Sequence, residues 1–168
     1  MKDNRKKMLK QLGLASSYYE TVRVDNNYYI IEDIEDKHNT EKFHVQMYMP
    51  KLIGGKIQKF HVASATYELV QDTCPQILVS YPSTGEFYFA EPIIKSIESI
   101  AAICGVSKMT VVSNHPYHTK YNSLEELGFE RVDDNVFEKT ELTFHKLGDH
   151  LSQIMEQAQT PYIPESSF

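Results

Sequence analysis

The sequence predicts one domain of the α/β class in its α+β form, with a mixed, mainly antiparallel sheet flanked by helices. In the first half, β-branched and aromatic residues form short runs separated by turn residues, which is typical of hairpins. From residue 93 to 104 the apolar residues change to the spacing of a helix face. The 168 residues, 41% hydrophobic and 24% charged, have the composition of a globular protein. We therefore expect hairpins first, followed by strands that alternate with helices.

Two hairpins are predicted after a short basic helix that ends near Gly13. They pair residues 18–24 with 28–34 and residues 43–49 with 57–62. Asp25, Asn26 and Asn27 supply turn residues for the first hairpin, and the segment from Pro50 to Lys56, with Gly54 and Gly55, supplies them for the second.

The segment around Pro82, Ser83, Thr84 and Gly85 has two interpretations. Residues 76–81 (QILVSY) read as a strand, and residues 86–90 (EFYFA) read either as its hairpin partner or as the start of a helix. The segment is then either a third hairpin turn or a loop between a strand and a helix, and the local pattern allows both.

A helix is predicted around residues 93–104, with Pro92 near its first turn and Gly105 just after its end. A short apolar strand at 109–113 follows, and then a helix at 117–127 that Gly128 and Phe129 close. This order requires one parallel crossover around the first of these helices.

The last predicted elements are a hairpin and a closing helix. The hairpin pairs residues 129–132 with 136–143, and the helix spans 145–158. Residues 159–168 (QTPYIPESSF) contain two prolines and no periodicity, so we expect an extended or disordered tail after a single domain of residues 1–158.

Charge and hydropathy restrict the partners and the location. The net charge is −6 although five of the first ten residues are basic, so the rest of the chain is acidic. An acidic protein repels phosphate backbones, which makes nucleic acid an improbable partner. The sequence has no apolar run long enough to cross a membrane and no signal peptide, so we expect a cytoplasmic protein without a membrane partner. Cys74 and Cys104 are expected to be ordinary core residues.

Residues 79–129 resemble the core of the GCN5-related N-acetyltransferase (GNAT) family. In that family a strand leads through a V-x-P-x-x-R-G-x-G-x-G/A loop into a helix, then into a strand, and then into a helix that ends in Y-x-x-x-G-F. The corresponding segments here are VSYPSTGEFYFAEP, MTVVSN and NSLEELGFERV. The resemblance implies an acyl-CoA N-acyltransferase-like fold, acetyl-CoA as cofactor, and a small-molecule or protein amine as acceptor.

The resemblance also implies a site. The loop of the family binds the pyrophosphate of acetyl-CoA through backbone N–H groups at a helix N-terminus. The residues at the corresponding cofactor-binding positions are Val79, Ser83, Thr84, Gly85 and Asn114. In the family the Tyr of Y-x-x-x-G-F protonates the departing thiolate; here that position is Leu124, and Tyr121, one helical turn earlier, is the expected acid. The general base is suggested by the residues and not by the resemblance: it is either Glu86, a carboxylate near the expected cofactor position, or His115, in the polar segment after the strand at 109–113. No metal site is expected.

A non-catalytic module that binds or regulates a protein partner is the alternative. Phe87 and Phe89 stand where the family loop has small residues, and aromatic strands with an acidic surface suit a protein-binding face. His44 and His61 are expected to face each other across the Gly54-Gly55 hairpin, where packing against aromatic neighbours is the favoured role.

Overall fold

The computed structural model describes most of the chain as one eight-stranded sheet with three helices. The residues it describes are 18–38, 41–70, 75–80, 87–112, 123–146 and 148–159. The strands are β1 Tyr18–Val24, β2 Asn27–Glu35, β3 Lys42–Ile53, β4 Lys56–Val70, β5 Gln76–Ser80, β6 Lys108–Val112, β7 Glu130–Asp133 and β8 Val136–Lys139. The helices are α1 Phe87–Ile103, α2 Ser123–Glu126 and α3 Leu151–Gln159.

The strands lie in the order β1-β2-β3-β4-β5-β6-β8-β7. Strands β5 and β6 pair in parallel, with α1 between them along the chain, and every other neighbouring pair among the described strands is antiparallel. The predicted α+β class and the parallel crossover are confirmed.

Both N-terminal hairpins are confirmed, and the second is longer than predicted. Gly54 and Gly55 have φ angles of 60° and 78°, a conformation that favours glycine and suits a tight hairpin turn. Pro50, which we expected to begin the turn, lies within β3 opposite Lys59. Its missing N–H is tolerated because the pairing of β3 with β2 stops at Tyr48, so one side of β3 is an edge at Pro50.

Helix α1 decides between the two interpretations of the chain after β5. Phe87 begins the helix, so the hairpin interpretation of residues 86–90 is wrong, and the next described element after strand β5 is a helix. Pro92 consequently lies inside the helix and not in its first turn. Gly105, at φ 72°, ends the helix as predicted, and the N–H of Val106 donates to the carbonyl of Ala101 at 3.0 Å.

The C-terminal elements are partly as predicted. The hairpin of β7 and β8 is confirmed, and Gly128, at φ 93°, ends α2 as expected. Helix α3 begins at Leu151 and not at His145. The cause is tertiary, because the N–H of Thr143 donates to Glu98 and the N–H of His145 donates to Ser99, both at 2.7 Å. The predictions for residues 1–17, for 117–122 and for the tail beyond Gln159 lie outside the described residues.

The core lies between α1 and one face of the sheet. Phe43 stacks on Tyr67 with ring centroids 5.1 Å apart, and both side chains are fully buried. Their buried neighbours in the core include Val45, Met47, Ala65, Ile77, Val79, Ile93, Ile94, Ile97, Met109 and Val111. The alternate residues of the same strands form the opposite face of the sheet.

Candidate functional site

The parallel pair of strands determines where a ligand site is expected. Ser80 ends β5 directly beside Val112, which ends β6. The chain re-enters described structure seven residues after Ser80, at the start of α1. Ligands of open α/β sheets bind outside the carboxyl ends of parallel strands, so a ligand site is expected at the edge where Ser80 lies.

A polar groove begins at this edge, on the sheet face opposite the core. His44, Thr66 and Ser80 lie side by side on β3, β4 and β5. The first cavity of the groove, of about 270 Å³, is lined by His44, Val45, Gln46, Ser64, Ala65, Thr66 and Ser80. A second cavity, of about 390 Å³, shares Gln46 and Ser64 with the first and extends to His61. The two cavities form one groove whose polar lining is suited to a hydrogen-bonding substrate.

His44 is paired with a carboxylate at the end of this groove. Its Nε2 lies 2.5 Å from Oδ2 of Asp36, and both side chains are partly exposed. Oδ1 of Asp36 accepts the backbone N–H of His38 at 2.8 Å, and the N–H of Asp36 donates to the carbonyl of Lys42 at 3.0 Å. Because Nε2–H donates to the carboxylate, the neutral imidazole keeps its lone pair on Nδ1, where it can accept a proton.

The expectation that His44 and His61 face each other is wrong. His44 pairs with Thr66, whereas His61 pairs with Tyr48 and lies against its ring, with centroids 5.9 Å apart. The register set by the turn, in which Ile53 pairs with Lys56, already places His61 opposite Tyr48, and a one-residue irregularity between Met47 and Tyr48 then places Thr66 opposite His44. The expected aromatic packing is confirmed for His61.

Tyr48 lies near the far end of the groove as a hydrogen-bond donor. Its hydroxyl donates to Oε1 of Glu32 at 2.8 Å, and Nζ of Lys59 lies 4.6 Å from its ring centroid. Burial, followed by the hydrogen bond to Glu32 and the charge of that carboxylate, raises the pKa of Tyr48. The phenol therefore stays protonated at neutral pH and is unsuited to be a base.

A second polar cluster lies under α1, away from the groove. The carboxylate of Glu98 is buried and accepts three hydrogen bonds, from Nζ of Lys139 at 2.9 Å, the N–H of Thr143 at 2.7 Å and Nε2 of His145 at 2.8 Å. Glu98 is at the helix-face spacing of Ile94 and Ala101, so an acidic residue on the apolar face of the predicted helix was the available sequence signal. The cluster fixes the chain after β8 to α1.

Most of the site residues predicted from the sequence lie outside the described residues. Val79 lies in β5 with its side chain fully buried between Tyr67 and Val111, so only its backbone could contact a cofactor. The others lie outside the described residues: Ser83, Thr84, Gly85, Glu86, Asn114, His115 and Tyr121.

The described ranges contain neither a cluster of metal ligands nor a helix that could span a membrane. No group of three or more His, Cys, Asp or Glu side chains there could hold a metal ion. No helix within those ranges is both long and apolar enough to span a membrane.

Comparison with known proteins gives a likeness of fold. No family model and no curated protein matches the chain. A solved structure of a cAMP-binding acyltransferase from Mycobacterium smegmatis, an arginine-to-lysine variant, matches with a TM-score of 0.54 at 10% identity, over 92% of this chain and 56% of that one. A second structure of a cAMP-binding acyltransferase from that organism matches with a TM-score of 0.50 at 11% identity, over 93% of this chain and 57% of that one. The present chain thus spans little more than half the length of the structures whose fold it shares.

Proposed function

We propose that this protein is an acyl-CoA-dependent N-acyltransferase of the GNAT type that acts on an amine. The observation that carries the proposal is the order of β5, α1 and β6 along the chain, with β6 parallel to β5. It is the order that the resemblance of residues 79–129 implies. The fold shared with two structures of a cAMP-binding acyltransferase supports the same conclusion.

The start of α1 suits an anionic cofactor. The first turn of this 17-residue helix holds no acidic residue, so the partial positive charge at its N-terminus is not neutralised from within the turn. In the sequence, Ser83, Thr84 and Gly85 come shortly before Phe87, and their small side chains would leave backbone N–H groups open to an anion. These residues would hold the pyrophosphate of acetyl-CoA, which when bound supplies an activated acyl thioester.

The polar groove would hold the acceptor amine. It begins at Ser80, beside the carboxyl ends of β5 and β6, and its hydroxyl and amide groups can orient a polar substrate by hydrogen bonds. Amines are nucleophiles only when unprotonated, so a proton acceptor beside the groove favours this chemistry.

Incubation with acetyl-CoA and a panel of primary amines tests the proposal. We expect release of free CoA thiol that depends on the amine, with the acetylated amine detected by mass spectrometry. Thr84→Glu should raise the KM for acetyl-CoA, because the added carboxylate repels the pyrophosphate at the start of α1. Gln58→Glu places the same charge on an exposed residue of β4 and should leave KM unchanged.

Failure of every amine to cause thiol release would contradict the proposal, as would equal KM values for Thr84→Glu and the native protein. In that case the non-catalytic, protein-binding alternative gains support. The helical start at Phe87 removes the hairpin that would have put Phe87 and Phe89 on a strand in that alternative.

A further inference from the structure

We propose that His44 is the general base of the acyl transfer and that Asp36 is its positioning residue. The inference rests on the proposed function and assigns a residue that the family resemblance does not indicate. The two side chains meet across the turn between β2 and β3, where Nε2 of His44 contacts Oδ2 of Asp36 at 2.5 Å.

Asp36 is held in a fixed orientation. One carboxylate oxygen accepts the N–H of His38 and the other contacts His44, while the backbone N–H is tied to Lys42. A carboxylate anchored in this way fixes the tautomer and the ring orientation of the imidazole.

His44 lies two strands away from Ser80, about 10 Å at the usual spacing of neighbouring strands, and lines the cavity that reaches Ser80. It lies in the same cross-strand row as Thr66 and Ser80, and Ser80 is the last residue of β5, at the edge where the parallel strands end. The side chain of His44 is 37% exposed and lines the first cavity of the groove. A substrate amine in this cavity would be within reach of a ring that also contacts solvent.

His44 is the titratable side chain among the described residues that line this cavity. Ile34 and Thr66, its neighbours across the sheet on β2 and β4, carry no charge. On the same strand face, Lys42 lies opposite Glu68 on one side of His44. On the other side, Glu32 lies on β2 opposite Gln46 and is bonded to Tyr48 and Lys59. Of these charged groups, Asp36 is the one that contacts His44 directly.

The reaction balances with His44 as the base. The nitrogen of the free amine bonds to the thioester carbonyl carbon, and as the carbon–sulfur bond breaks its electron pair remains on sulfur. The imidazole of His44 accepts the proton that the nitrogen loses and later releases it to solvent at the exposed side of the ring. The thiolate takes one proton from solvent, so the net products are an amide and a thiol.

His44→Gln and Asp36→Asn test the assignment, with His38→Gln as the matched control. His38 is an exposed histidine whose backbone N–H donates to Asp36, and the substitution keeps that N–H. We expect His44→Gln to lower kcat about 100-fold with little change in KM for acetyl-CoA. Asp36→Asn should lower kcat less, and His38→Gln should leave kcat unchanged.

A spectroscopic readout is independent of turnover. The ¹⁵N spectrum of the imidazole of His44 should show the Nε2–H tautomer in the native protein and a mixture of tautomers in Asp36→Asn. A native kcat in His44→Gln, with acetyl-CoA turnover present in the native protein, would overturn the role of His44 while the proposed function stands. Absence of turnover in the native protein would overturn both.

Discussion

Replacement of Glu98 by alanine is expected to lower the free energy of unfolding by about 3–5 kcal/mol. The carboxylate of Glu98 is 1% exposed and pairs with Lys139, whose side chain is 13% exposed. Its removal leaves the ammonium group with the carbonyl of Leu127 but without its counter-charge, and leaves the N–H of Thr143 without its acceptor. An uncompensated buried charge is among the largest single-residue losses of stability. Urea denaturation followed by circular dichroism measures the effect.

Glu91→Ala on the same helix is the matched control. Glu91 also pairs with a lysine, Lys95 at 2.9 Å, but its side chain is 39% exposed. An exposed ion pair of this spacing contributes about 0.3–0.5 kcal/mol, so little change is expected. Equal losses for Glu98→Ala and Glu91→Ala would contradict the buried cluster.

Phe43→Ala is expected to cost a similar amount, about 3–5 kcal/mol, by a different mechanism. The ring of Phe43, on β3, is fully buried in the core and stacks on the ring of Tyr67. Truncation removes this apolar area from the core and leaves a cavity that a close-packed interior fills only in part. The midpoint of the urea transition should fall, with its slope preserved.

Phe144→Ala is the matched control, because it removes the same side chain from an exposed position. Phe144 lies in the irregular segment after β8 with 49% of its surface exposed. Its removal should change stability by less than about 1 kcal/mol, because little area leaves the core. If the two phenylalanine variants unfold at the same urea concentration, the position of the core is wrong.

The fold was largely predictable because local signals and the tertiary structure agree. Gly54 and Gly55 fix a hairpin turn, and Gly105 and Gly128 end helices, each with a positive φ angle. The helix period at residues 93–104 identified the element that covers the sheet. The start of the closing helix α3 was not predictable from the local sequence. The backbone N–H groups of Thr143 and His145, just before it, bond to Glu98 and Ser99 on α1, which is distant in sequence.

The candidate site was less predictable than the fold. The pairing of His44 with Asp36 requires a turn that returns the chain so that residues eight apart meet, and neither residue belongs to a recognisable motif. The pairing of His44 with Thr66 depends on a one-residue register shift between Met47 and Tyr48 that the hydrophobic pattern does not encode. The resemblance indicated the region around the end of β5, which is where the polar groove begins.

Binding of acetyl-CoA tests the central claim most directly. Thermal denaturation of the native protein would be recorded with and without acetyl-CoA, with ADP as a control for unspecific effects of a pyrophosphate anion. A ligand that binds only the folded state stabilises it by about 2.7 kcal/mol at a hundredfold excess over Kd. We expect acetyl-CoA to raise the unfolding midpoint well above the value with ADP. An unchanged midpoint at millimolar acetyl-CoA would contradict an acyl-CoA-dependent function for this fold.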